Sequence, residues 1–149
     1  MRRGFLWGTI LAVMLTASGC DTATSPLSDS LQLSVSTVRL EAGNLTFQYT
    51  FENKGPEDQT LTFGSSQSFD IEVRSLGGEL LWRWSHDKYF ATVMWSIHLA
   101  SGESQAGETE WDLKGNDASR LSPGIYRCRF YITCYPRHPG LVTEFRLTL

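Results

Sequence analysis

The sequence has little cysteine, three residues in 149. Cys128 and Cys134 lie six residues apart on what reads as one strand. At roughly 3.3 Å per residue they are about 20 Å apart, beyond disulfide reach. Free thiols are expected, with Cys128 a small buried hydrophobe, and the inter-sheet disulfide of antibody domains is excluded. The chain also lacks a long segment with the 3.6-residue period of an amphipathic helix. It lacks an excess of positive charge, with 13 Lys and Arg against 16 Asp and Glu. That balance makes no electrostatic case for nucleic acid. Histidine is scarce too, at His86, His98 and His138. Ser85-His86-Asp87 holds the residue types of a hydrolytic triad, but sequence neighbours cannot adopt triad geometry, and the tripeptide reads as a turn. Cys128, Cys134 and His138 match no zinc spacing. The sequence therefore predicts no enzyme, no metal and no cofactor. It shows no internal repeat and no second domain.

What is present begins with a leader-like start. Met1-Arg2-Arg3 is basic, and Phe5 to Leu15 is apolar but too short for a membrane-spanning helix. Thr16-Ala17-Ser18-Gly19-Cys20 closes it with small residues and a cysteine. This pattern resembles a bacterial lipobox and predicts a lipoprotein signal peptide over residues 1–19, with Cys20 acylated and inserted in a bilayer. Loss of Arg2 and Arg3 with that leader would take the formal charge from −3 to −5. Residues 20–30, small, polar and proline-containing, read as a flexible tether. The expected location is the cell envelope, outside the cytoplasm and lipid-anchored.

From Leu31 to Leu149 the pattern is short runs of period two, separated by turn residues about every 8–12 positions. Leu31, Leu33 and Val35 share one face; Val38 and Leu40 break the phase and suggest a bulge or a strand that switches sheets. Leu45, Phe47, Tyr49 and Phe51 form an unbroken apolar face. The densest block is Thr60 to Phe90. There Phe69, Ile71 and Val73 alternate with Asp70, Glu72 and Arg74, giving one dry and one wet face. Gly77-Gly78 suits a tight hairpin. Leu80, Trp82 and Trp84 follow on one face, opposite Leu81, Arg83 and Ser85. The polar pair Arg83 and Ser85 places both tryptophans inward, near Phe69 and Ile71. In Phe63 to Ser68 a glycine and three serines cannot fill a core, and the stretch reads as a bulged or kinked edge crossing between sheets, with an exposed binding loop as the alternative. Tyr89 to Leu99 reads as a strand with Val93, Trp95, Ile97 and Leu99 in phase, and Ala100 to Gly107 as a loop. The fold class is all-β: an antiparallel immunoglobulin-like β-sandwich of about seven to nine strands.

Several pieces recur in a characteristic order. They are Phe51-x-Asn53, Thr60-Leu61-Thr62-Phe63, Ser65-Ser66-Gln67-x-Phe69-Asp70 and Trp82-Arg83-Trp84-Ser85 running on to Phe90. Gly102-Glu103-Ser104, Trp111 and Pro123-Gly124-x-Tyr126 complete them. Together they resemble the BsuPI family, named for an intracellular proteinase inhibitor of Bacillus. The resemblance spans nearly all of residues 31–149 and implies an immunoglobulin-like sandwich that inhibits a subtilisin-type serine protease. A standard inhibitor presents a preformed loop to the protease cleft. The candidates are Gly64–Ser68 with Ser65, Ser66 and Gln67, Ser85–Tyr89 with Ser85, His86 and Asp87, and Ala100–Gly107 with Glu103 and Ser104. The alternative is a non-inhibitory structural or adhesive module of the cell envelope.

Overall fold

Alternating apolar residues fold into nine strands in the computed structural model, which describes residues 30–39 and 43–149. These are β1 (Leu31–Arg39), β2 (Leu45–Asn53), β3 (Gln59–Phe63), β4 (Phe69–Arg74), β5 (Leu80–Arg83), β6 (Trp95–Leu99), β7 (Ser104–Trp111), β8 (Ile125–Ile132) and β9 (Val142–Thr148). A 3₁₀ turn, Pro139–Leu141, precedes β9. The strands form a three-stranded sheet in the order β1-β2-β7, a four-stranded sheet β5-β4-β8-β9 and a ribbon β3-β6. Every pairing is antiparallel.

The two larger sheets face each other across an aromatic core. Tyr49 on β2 lies 5.1 Å from Phe69 and 4.9 Å from Phe130, centroid to centroid. Trp82 on β5 stacks at 4.6 Å on Trp111 of β7. The strand orders are those of an immunoglobulin-like sandwich, with the first, second and fifth strands of that plan on one sheet and the third, sixth and seventh on the other. A second mark is the Tyr126 hydroxyl, which donates to the Ser122 carbonyl at 2.6 Å. This is the tyrosine corner of Greek-key sandwiches, and it explains Pro123-Gly124-x-Tyr126. Two residues on, Cys128 occupies the place where antibody domains hold one half of their inter-sheet bridge. Here both Cys128 and Cys134 are free and buried, and burial pushes the Cys128 thiol up to about 12.

The ribbon β3-β6 continues the four-stranded sheet. Thr62 bridges Tyr135 just beyond β8, while Phe69 at the start of β4 pairs with Ile132. Six residues, 63–68, therefore run beside two, 133–134, and the surplus of four falls within Gly64–Ser68: a bulged crossing. Three expectations are corrected. β1 pairs with β2 in unbroken register from Leu31↔Asn53 to Arg39↔Leu45, so no bulge occurs there, and Val38 simply faces solvent. Leu40 lies outside the described residues. β6 begins at Trp95 rather than Tyr89, because its partner β3 has only five residues before Gly64. Ser104 to Gly107 belongs to β7, not to a loop, because β2 offers Glu52 to Tyr49 as partners.

Candidate partner-binding site

Alternation puts Asp70 and Glu72 on the outer face of the four-stranded sheet, the face expected to be wet. Both are buried instead, at 3% and 5% exposure. Buried carboxylates are costly unless paired and hydrogen-bonded, and the partners come from β4 itself, from β5 and the turn after it, and from β8. Asp70 Oδ1 accepts from the Ile71 N–H at 2.9 Å and the Ser85 N–H at 3.2 Å. Its Oδ2 accepts from Ser85 Oγ at 2.8 Å and Tyr131 Oη at 3.1 Å. Arg83 Nε lies 3.3 Å from the same oxygen, an ion pair without hydrogen-bond geometry. Glu72 accepts from Arg74 at 2.9 and 3.1 Å and from Arg83 Nη2. Burial alone would raise the Glu72 carboxyl, but hydrogen bonds and charge from Arg74 and Arg83 hold it below its ordinary value. Burial, then the Asp70 charge, raises the Tyr131 phenol. Two motifs distant in sequence thus meet in one cluster: Asp70 of S-S-Q-x-F-D with Arg83 and Ser85 of W-R-W-S.

This clasp fixes where an exposed segment begins. Beyond β5 the Trp84 N–H donates to the Ile71 carbonyl at 2.9 Å, and its indole N–H to Thr109 Oγ1 at 3.0 Å. The Trp84 ring packs 4.3 Å from Phe69. Trp84–Asp87 turns, with His86 and Lys88 N–H groups donating back to Arg83 and Ser85 at 3.0 and 3.2 Å. From Lys88 to Met94 the chain runs without turn or bend. Tyr89 is 102% exposed, Val93 46% and Met94 73%. The far end is tied to the crossing. Ser66 and Ala91 exchange hydrogen bonds at 2.9 and 3.0 Å, and the Trp95 indole N–H donates to the Ser65 carbonyl at 2.7 Å.

The expected site residues therefore divide. Ser65, Ser66 and Gln67 hold the crossing rather than protrude: Ser65 Oγ accepts from the Gln67 N–H, Gln67 Nε2 donates to the Phe69 carbonyl, and the Gln67 carbonyl accepts from Thr133 Oγ1. Ser85 is consumed by Asp70. His86 and Asp87 are exposed at the start of the segment. Glu103 and Ser104 lie at the other end of β6, about 13 Å away at ~3.3 Å per residue. There Glu103 Oε2 accepts from the Ala100 N–H at 2.8 Å, and Ser104 opens β7 opposite Glu52. Fully buried Asn53 anchors that turn, its Nδ2 donating to the Glu57, Leu99 and Ala100 carbonyls at 2.7, 3.0 and 3.2 Å. Two of the three loops adjoin, and the third is remote. Val93 and Met94 were missed because Val93 is in phase with Trp95 and Ile97. The signal that could have released them is the shortness of the only run able to pair with β6. Cys20 lies outside the described residues, as do the leader and all of the tether but Ser30.

A family model described as an intracellular proteinase inhibitor, BsuPI, matches residues 31–135. That description overturns the expected extracytoplasmic, lipid-anchored location. A basic start and a short apolar run are signals of composition alone, and they carry less than a match along the folded region. No curated protein sequence matches the chain. Among solved structures, the CARDB domain of a Pyrococcus furiosus protein aligns at 14% identity and TM-score 0.40, over 79% of this chain and 90% of that one. A Thermotoga neapolitana β-glucosidase aligns at 17% identity and TM-score 0.40, over 80% of this chain but 16% of the enzyme. A Bacteroides uniformis β-glucuronidase aligns at 20% identity and TM-score 0.39, over 82% and 13%. This chain thus spans only a small part of either glycosidase. With the family model covering well over half of its length, and each motif piece located in the sandwich, the chain belongs to the BsuPI family of proteinase inhibitors.

Proposed function

We propose that the chain inhibits a subtilisin-type serine protease, and that residues 86–94 are the segment it offers to the protease cleft. In this reading it is a binder and not an enzyme. The observation that carries it is a bend-free run with Tyr89 fully exposed, held at both ends by buried or hydrogen-bonded supports. Such preorganisation is what inhibitors need, because ordering a loose loop on binding costs affinity. Gly64–Ser68 contributes as a buttress beside it.

The test is titration of the domain into subtilisin while peptide hydrolysis is followed, with hydrogen exchange measured on the complex. Stoichiometric loss of hydrolysis is expected, with new protection confined to residues 86–94 and the adjoining 64–68. Undiminished hydrolysis at micromolar domain overturns the proposal and favours a structural or adhesive module, whereas inhibition with protection only around 100–103 overturns the assignment of residues 86–94.

A further inference from the structure

We infer that Tyr89 is the side chain that enters the primary specificity pocket, so that the partner is an endoprotease whose pocket takes a neutral aromatic group. This rests on the inhibitory reading above. The neighbours in the segment narrow the choice. A protease with an acidic pocket floor would select Lys88, but that side chain is turned back onto the protein. Its ammonium sits 4.8 Å over the Trp84 ring and 3.4 Å from Asp87 Oδ1. Reaching into a pocket would break both contacts. Phe90 is half-buried and faces Trp84 at 5.8 Å. His86 and Asp87 belong to the turn, and burying a charge in an apolar pocket is costly. Val93 and Met94 lie beyond the Ser66–Ala91 hydrogen bonds, two or more residues past the tie, and suit the flank of a cleft.

Tyr89 alone combines full exposure with fixed neighbours. The Lys88 N–H is tied to Ser85 on one side and Ala91 to Ser66 on the other. Its ring offers about 150–250 Å² for burial, and tyrosine is enriched among the few residues that dominate interface energetics. An apolar slot that accepts aromatic side chains, as against an acidic one that accepts lysine, is a standard division among serine proteases.

The test compares Tyr89→Phe, Tyr89→Ala and Tyr89→Lys in the full chain, against subtilisin, chymotrypsin and trypsin. Unfolding midpoints should be unchanged, because the side chain touches little. Tyr89→Phe should inhibit within a few-fold of wild type. Tyr89→Ala should weaken inhibition by about 30-fold or more, the usual loss for an anchor residue. Tyr89→Lys should lose inhibition of the enzymes with apolar pockets and gain inhibition of trypsin, a gain no destabilisation can imitate. If wild type and Tyr89→Ala inhibit equally, Tyr89 is not the pocket residue, although the inhibitory reading survives. If wild type inhibits none of the three, both fall together.

Discussion

Trp82 and Trp84 stand two positions apart and do different work. Trp82 fills the space between sheets, stacked on Trp111 at 4.6 Å and facing Phe47 at 6.3 Å. Trp84 closes the rim, half-buried, with Phe69 beneath and Lys88 above. Truncating Trp82 to Ala should cost about 3–4 kcal/mol, as a large-to-small change in an aromatic core does. For Trp84→Ala about 2–3 kcal/mol is expected, since its ring packs on Phe69 and the half-buried Phe90, whereas the equally half-buried Trp82 stacks on two fully buried rings, Phe47 and Trp111. For a domain of this size that is a fall of roughly 10 °C in melting temperature for Trp84→Ala and more for Trp82→Ala. Thermal unfolding by circular dichroism checks the order; a Trp84→Ala midpoint within 2 °C of wild type would make the indole a surface contact. The inward direction of both rings was legible because Arg83 and Ser85 occupy the alternate positions. The burial of Asp70 and Glu72 was not. Period two tells which side chains share a face, but not what the neighbouring strands lay over that face. Here Arg83, Tyr131 and Ser85 cover it. Asn53 was similarly opaque: the piece Phe51-x-Asn53 marks its place but not that it is the hub of three carbonyls.

At the scale of elements, the Asp70 clasp joins β4 to the segment that leaves β5. Asp70→Asn keeps the shape and removes the charge. The new amide N–H₂ sits best at the Oδ2 position, where the Ser85 and Tyr131 hydroxyls can turn to accept from it, but Arg83 Nε, 3.3 Å away, then faces a donor and loses its anion. That mismatch costs about 1–3 kcal/mol. The effect should be local. Amides of residues 85–91 should exchange faster by at least tenfold relative to wild type, while those of β8 and β9 keep their order. Exchange that rises evenly over the whole sandwich would show a global loss of stability and no special hold on the loop. Gly64–Ser68 was legible as a crossing, because Gly and Ser cannot fill a core and strand signals flank it. The limits of β6 were not legible, since strand length is set by the partner. Nor was the straightness of β1, since the phase break at Val38 coincides with the place where the strand meets solvent.

At the scale of the molecule, the sandwich was legible from spacing, whereas the order β1-β2-β7 against β5-β4-β8-β9 was not, because pairing order depends on contacts far apart in sequence. That packing has a consequence for pH. The Glu72 carboxyl lies below its ordinary 4.5 in the folded state, held there by Arg74 and Arg83. Its contribution to stability is therefore fully present above about pH 4.5, and it is lost as pH falls through the lower folded value. The Tyr131 phenol is raised above 10.0 and the Cys128 thiol from 9.0 to about 12. Groups raised by folding contribute fully below their unfolded values, and that contribution goes as pH rises: for Cys128 between 9 and about 12, for Tyr131 above 10.0. Stability should show a plateau from about pH 5 to 9 with a separate cause for each limb. Urea midpoints across pH test this directly. Glu72→Gln should lower the plateau, by leaving Arg74 and Arg83 short of an anion, and should flatten the acid limb. Cys128→Val should leave the acid limb alone and make the alkaline one shallower from pH 9 upward without abolishing it, because burial raises the Cys134 thiol from 9.0 as well and the Tyr49 and Tyr131 phenols from 10.0. An acid limb equally steep in Glu72→Gln would mean that other carboxylates carry the acid response, and that the Glu72 pairing is a matter of geometry rather than of charge.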